Sequence, residues 1–279
     1  MSDAQDAAPN AQQVAYWNAQ AGPTWAEQQA PLDRQLAPLG RRVMAELDLR
    51  PGRRVLDVGC GSGETTLALA ATGAEAVGVD ISRPLLDVAQ ARSRDVAHAS
   101  FLEADAQTHA FAPASFDAVF SRFGVMFFAD PAAAFTNLRR ALKPGGRLAF
   151  VCWRRPEASP VLSAPMAAAL AHVTPPPPPA DPNGPGPFAF ADPERVRGIL
   201  AEAGYTEVAI VPHAEEIGGN DLDTTLALSL KIGPLGALLR ENPDKREAVL
   251  GAVRELLARH DGPDGVKLGS ATWIVTASR

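Results

Sequence analysis

Three glycines, Gly59, Gly61 and Gly63, follow the apolar run Val55-Leu56-Asp57-Val58 with only Cys60 and Ser62 between them. Glycine lets a backbone turn sharply and come close to a bound molecule, so this spacing is that of a ligand-cradling turn. A carboxylate, Asp80, ends the next apolar run, Ala76-Val77-Gly78-Val79. In doubly wound sheets an acid at that place accepts hydrogen bonds from ribose hydroxyls. The glycines and the acid together predict a nucleoside site. A dinucleotide turn, G-x-G-x-x-G, would need glycine at position 64, where this chain has Glu64. A carboxylate there suits the positive end of a helix but repels a pyrophosphate seeking the same amides. The pattern therefore favours a nucleoside without phosphates. Positive charge on that ligand would suit Asp57, Glu64, Asp80 and Asp105.

The elements that must hold these residues alternate from residue 53 to 153. Arg54 to Val58, Ala76 to Asp80, Phe101 to Ala104, Phe116 to Ser121 and Arg147 to Trp153 read as strands. Helices are expected from Thr65 to Ala71, from Ser82-Pro84 to about Val96, and from Asp130-Pro131 to the Lys143-Pro144-Gly145-Gly146 turn. Ser82 and Asp130 are the predicted caps, each with a first-turn proline after it. Such alternation implies a mostly parallel sheet with right-handed crossovers and helices on both faces. After Trp153 the rhythm breaks. Val161 to Val173 reads as one helix, and the five-proline run Pro175 to Pro179 reads as a stiff, extended surface connector. Asp192-Pro193-Glu194 caps a helix ending at Gly204, and Glu207 to Val211 is a sixth strand. Asn220 to Arg240 and Asn242 to His260 look helical, and Ala271 to Ala277 is a seventh strand.

Composition narrows the partners. The chain has 279 residues and a formal charge of −6, with no Lys/Arg run, which argues against a nucleic-acid partner. No apolar stretch approaches the roughly 20 residues of a membrane span. Met1 to Gln13 has neither a basic start nor an apolar run, so a cytoplasmic protein without a signal peptide is the expectation. Cys60 and Cys152 fall on strands too far apart for a disulfide and read as free, buried thiols. The five histidines show no metal-ligand spacing, so no metal is expected.

The stretch Val55 to Gly63 resembles the first motif of class I S-adenosylmethionine-dependent methyltransferases. Glu103-Ala104-Asp105-Ala106 is similar to that family's adenine-contacting motif. Ser115-Phe116-Asp117-Ala118-Val119 with Ser121-Arg122-Phe123-Gly124 resembles its fourth-strand segment, and Leu142-Lys143-Pro144-Gly145-Gly146 its turn before strand five. The likeness is closest to the ubiquinone- and menaquinone-biosynthesis-like, small-molecule group. It covers residues 40 to 153 best. The resemblance implies an α/β, Rossmann-like, doubly wound seven-stranded sheet, mostly parallel with an antiparallel last strand. Residues 1–40 would form a helical lid. The core, 41–153, would be completed by 192–215 and 266–279, while 154–191 and 216–265 would form an inserted acceptor-side cap.

The cofactor implied is S-adenosyl-L-methionine, whose sulfonium supplies the positive charge the acids favour. By resemblance Asp57, Gly59, Cys60, Gly61 and Gly63 form the loop beside methionine and ribose. Asp80 binds the ribose, Ile81 packs on adenine, and Asp105 with Ala106 meets the adenine edge. Ser121 and Arg122 sit below the methionine end. For Arg122, pairing with the methionine carboxylate and a salt bridge to a neighbouring helix both stand. The acceptor is expected to be a small, partly apolar molecule. Arg122-Phe123-Gly124-Val125 replaces the Asn/Asp-Pro-Pro-Tyr/Phe motif of base methylation. Trp17 and Trp25 either face the sulfonium or anchor the arm by burial. Met126, Phe127, Phe128, Trp153, Phe188 and Phe190 border the expected acceptor side. Tyr16, His172 and His213 are the nameable general bases, and none is singled out as catalytic. A nicotinamide-dependent oxidoreductase and a non-catalytic S-adenosylmethionine-binding protein are the alternatives.

Overall fold

The computed structural model of the protein describes residues 10–174, 181 and 183–279. Three helices come first: α1 (Ala11–Ala19), α2 (Ala21–Glu27) and α3 (Gln29–Met44). The alternating segment follows as β1 (Arg54–Val58), α4 (Glu64–Ala70), β2 (Glu75–Asp80), α5 (Arg83–Arg92), β3 (Ala99–Glu103), β4 (Phe116–Arg122), α6 (Pro131–Ala141) and β5 (Leu142–Trp153). Next are α7 (Pro160–Ala169), α8 (Pro193–Glu202), β6 (Thr206–Asn220), α9 (Leu222–Lys231), α10 (Gly233–Glu241) and α11 (Arg246–Ala258). A short hairpin of β7 (Asp261–Gly262) with β8 (Gly265–Ser278) ends the chain.

The strands lie side by side in the order β3-β2-β1-β4-β5-β8-β6, with β7 pairing to β8 off that path. Strands β1 to β5 are parallel, and β8 runs antiparallel to both β5 and β6. The order reverses at β1, which lies between β2 and β4. At such a switch point the loops leaving the two central strands diverge and open a crevice at their carboxyl ends. The glycine turn after β1 lies there. β1 and β4 are buried along almost their whole length, as apolar runs without alternation require.

Most predicted boundaries lie within a few residues of those observed, and the departures have local causes. The eighth strand is the two-residue β7. β6 and β8 are far longer than predicted, at 15 and 14 residues. Gly218 and Gly219, at φ 139° and 88°, form a bulge that lets pairing continue to Asn220. The single helix expected from Asn220 to Arg240 is two, α9 and α10, bent by 64° where Gly233 takes φ 73°. Asn242 donates its amide to Leu238 O rather than capping α11, which begins after a short 3-10 turn. Asp130 and Asp192 do cap, accepting Ala133 N and Glu194 N at 3.0 Å each. The proline run Pro175 to Pro179 and residues 1–9 of the arm lie outside the described residues.

Two apolar clusters form. The larger joins the sheet to α3, α6 and α8 through residues such as Leu39, Phe120, Phe135, Phe150 and Phe190. The smaller joins α7, α9, α10 and α11, centred on Leu239, Val249, Val253 and Leu257. Cys60 and Cys152 are free and buried, as predicted. Among the described residues no single helix is long and apolar enough to cross a membrane.

Candidate active site

All three loop glycines take positive φ: 69° at Gly59, 54° at Gly61 and 84° at Gly63. Their surroundings differ. A Cβ on Gly59 would lie 2.6 Å from Gly124 Cα, where the turns after β1 and β4 touch. One on Gly63 would lie 2.8 Å from Phe101 Cζ and 2.9 Å from Ala89 Cβ. At Gly61 the nearest atom is Leu85 Cδ1, 3.9 Å away. Gly59 and Gly63 therefore exist for packing, and Gly61 presents open backbone to the crevice.

Asp80 holds that backbone in place. Its Oδ2 accepts Gly61 N at 2.8 Å and its Oδ1 accepts Ser82 N at 2.8 Å. An ionised carboxylate has about four acceptor sites, so each oxygen keeps one for a ligand hydroxyl. Burial pushes the Asp80 carboxyl upward, against the pull of its backbone donors. Asp105 stands at the end of the next strand over. Its Oδ1 accepts Gln107 N at 2.9 Å and the Asn10 side-chain amide at 3.2 Å. Ala106 is buried, with its carbonyl accepting Asn137 Nδ2 at 3.0 Å, and Ile81 is half-buried beside Asp80.

Other predicted residues lie behind this surface. Asp57 is 0% exposed beneath the loop. Its Oδ2 accepts the hydroxyls of Thr65 and Thr66 at 2.6 and 2.7 Å, fixing the first turn of α4, while its Oδ1 has no partner. Burial pushes its carboxyl up to about 6. Ser121 is likewise 0% exposed and braces the loop, donating to Val58 O at 2.7 Å and accepting Gly124 N and Val125 N at 3.2 and 3.3 Å. Cys60 is buried, and its thiol is driven upward by burial and by Asp80 and Asp57. As arranged here, Asp57, Cys60 and Ser121 shape the loop from within instead of facing the crevice. For Arg122 the structure shows the helix salt bridge, Nη1 to Glu64 Oε2 at 2.5 Å.

The arm packs on the turns that follow β2 and β4. The Trp17 ring stands edge-on to Trp25 at 5.6 Å and to Phe127 at 5.2 Å, so the packing reading describes both tryptophans here. Phe127 belongs to this arm contact, whereas Met126 and Phe128 are core residues. Polar groups fasten the arm too. Ser82 Oγ donates to Trp17 O at 2.9 Å, and Asn10 also accepts Ala129 N at 3.1 Å. Ser82 occupies the predicted N-cap position of α5 but makes no side-chain capping bond; its hydroxyl is turned to the arm. On the far side Phe123, at φ 64°, stacks on Trp153 with centroids 4.3 Å apart and planes 10° from parallel. Of the named general bases, Tyr16 is exposed on the arm and His213 pairs with Glu215 on β6 at 3.2 Å.

Sequence reasoning missed Asn10, Asn137, Thr65 and Thr66, and the backbone state of Phe123. Thr65 and Thr66 stood one turn after an acid-bearing strand, a readable signal. The two asparagines carried none, because their partners are remote in sequence.

A glycine turn after β1 and an acid ending β2, at the switch point of this strand order, give a Rossmann-like core. Residues 56–150 match the family model described as methyltransferase domain. An uncharacterized protein of Mycobacterium tuberculosis is 41% identical over 119 residues, 42% of this chain and 43% of the relative. The demethylmenaquinone methyltransferase of Clavibacter sepedonicus is 40% identical over 97 residues, 35% of this chain and 40% of the relative. The matched stretch thus spans less than half the length of either curated relative. In fold, the chain resembles the YcgJ protein of Bacillus subtilis, with TM-score 0.56 at 17% identity over 88% of this chain and 97% of that one.

Proposed function

We propose that the protein transfers a methyl group from S-adenosylmethionine to a small, partly apolar acceptor. The observation that carries this reading is the Asp80 carboxylate bonded to Gly61 N at 2.8 Å, with Gly61 backbone open beside it. The residues present fit an adenosyl ligand: Asp80 has free acceptor sites for ribose hydroxyls, Ile81 offers an apolar face, and Asp105 an acceptor for an amino group. Glu64 at the start of α4 disfavours phosphates and is compatible with a cationic ligand.

When bound, the cofactor supplies a methyl group already activated on a sulfonium. The protein's part is orientation. Well-placed reactants reach effective molarities of about 10⁵–10⁸ M, so alignment alone accounts for a large rate gain. Gly59, Gly61 and Gly63 fix the loop, with Asp57 and Ser121 bracing it from below. Trp17, Trp25 and Phe127 close the crevice against water. No side chain is assigned the proton-removing role.

The acceptor side lies toward Phe123 and Trp153. Residues 1–40 act as the lid, 154–191 and 216–265 as the cap, and the rest, 41–153 with 192–215 and 266–279, as the cofactor-binding core. The separate apolar cluster of α7, α9, α10 and α11 supports the cap. The matched Clavibacter enzyme is named for a small-molecule acceptor, demethylmenaquinone, which supports that class. Two free thiols are in keeping with work in the reducing cytoplasm.

The test is transfer of an isotopically labelled methyl group from S-adenosylmethionine to a panel of quinols, phenols and lipophilic amines. Label in one organic-extractable product supports the reading. Tight cofactor binding with no labelled product across the panel would favour a non-catalytic binding protein.

A further inference from the structure

The turn that carries Asp80 lacks a cap of its own. Helix α5 begins at Arg83, and the residue in the capping position, Ser82, makes no side-chain capping bond; its hydroxyl is directed to Trp17 O. The missing acceptor comes from the arm. Asn18 Oδ1 accepts Arg83 N at 2.9 Å, and Asn18 Nδ2 donates to Ile81 O at 2.8 Å. One amide thus grips both sides of Ser82, and Ser82 N is itself held by Asp80 Oδ1 at 2.8 Å. The same Nδ2 donates to Val14 O at 2.8 Å, tying this grip to α1. The seating is close: a Cβ on Gly22 would lie 2.0 Å from Trp17 O and 2.5 Å from Ser82 Oγ.

We infer that Asn18 is a positioning residue for the ribose-binding carboxylate, completing from the arm the turn Asp80-Ile81-Ser82-Arg83. It acts through Asp80 and touches no reacting atom. Helix-first amides left without an acceptor loosen the first turn, and capping side chains are effective because they hold it. The consequence is that arm and cofactor site are one unit: the carboxylate points correctly only while the arm is seated. This inference rests on the adenosyl reading for its binding consequence, but its structural half stands apart from it.

The experiment compares wild type, Asn18→Ala, Asn18→Asp, Asp80→Ala and the double variant Asn18→Ala/Asp80→Ala. Amide exchange of Arg83 is read first, without ligand. Exchange about tenfold or more faster in Asn18→Ala is expected from the loss of the cap. Titration with S-adenosylhomocysteine follows. Asn18→Ala is expected to weaken binding about tenfold, and Asn18→Asp, which restores the acceptor at the positive end of α5, to recover most of it. In the Asp80→Ala background the Asn18→Ala change is expected to add less than twofold, the signature of one coupled unit. Unchanged Arg83 exchange, wild-type affinity in Asn18→Ala, or full multiplication of the two losses would each overturn the inference. If the wild type does not bind S-adenosylhomocysteine, the cofactor reading fails, and the exchange comparison still decides the role of Asn18. Should Asn18→Ala lose its cooperative melt, Asn18→Gln, which displaces both amide groups by a methylene, replaces it in every comparison.

Discussion

Asp57 and Gly61 show how single positions in the loop divide the work. Asp57 is inaccessible and its carboxyl is raised from 3.8 to about 6 by burial, so the folded chain keeps a proton that the unfolded chain has released. Stability therefore falls as pH rises from about 4 to about 6, by on the order of 3 kcal/mol, and is highest below that window. Asp57→Asn keeps an acceptor for both threonines and cannot titrate. Urea midpoints measured from pH 4 to 7 should decline in the wild type relative to this variant, and parallel curves would exclude Asp57 as the source. Among the glycines, Gly61→Ala meets open space and only a left-handed backbone cost of roughly 1–2 kcal/mol. It should fold, yet bind S-adenosylmethionine at least tenfold more weakly. Gly63→Ala must push against Phe101 and Ala89 as well, and should lose roughly 2–4 kcal/mol in a denaturation series.

Helices and strands differ in how openly the sequence declares them. β1 to β5 are apolar runs closed by glycine or acid, and α6 and α8 carry Asp-Pro openings, so the cofactor half was legible along with Gly59, Gly61, Gly63 and Asp80. The Ser82-Pro84 opening placed α5 and its N-cap residue but not the capping acceptor, since the serine hydroxyl bonds an arm carbonyl 65 residues away. No local pattern encodes such a contact. The bend between α9 and α10 and the length of β6 depended on glycines whose conformations only the tertiary pairing determines. Helices α7, α9, α10 and α11 surround their own apolar cluster, with Val161 touching both clusters. Leu257→Ala, at a fully buried position of α11, should cost roughly 2–5 kcal/mol. Amide exchange should speed up in α7, α9, α10 and α11 while β1 and β4 keep their protection. Equal loss in both regions would mean that cap and core open together. Where α2 meets α9, Lys231 pairs with Glu27 at 2.8 Å in an exposed setting, where solvent screening leaves little net stabilisation. Glu27→Gln should leave the melting temperature nearly unchanged.

Taken as one molecule, the protein places a glycine loop, the Asp80 carboxylate and an arm anchored by aromatic packing around the switch point of a single sheet. Asp80 ends β2 and Asp105 follows β3 at this crevice, whereas Asp57 lies beneath the loop and Glu64 is paired with Arg122. The central claim is that this crevice binds an adenosyl cofactor through Asp80. The most direct measurement is thermal unfolding of wild type and Asp80→Ala with S-adenosylmethionine, S-adenosylhomocysteine or NADH. A ligand at one hundred times its Kd adds about 2.7 kcal/mol, a rise of about 5 °C or more for a chain of this size. The structure predicts that rise with both adenosyl ligands and not with NADH, and its loss in Asp80→Ala. Stabilisation by NADH alone, or none by any of the three, would contradict it.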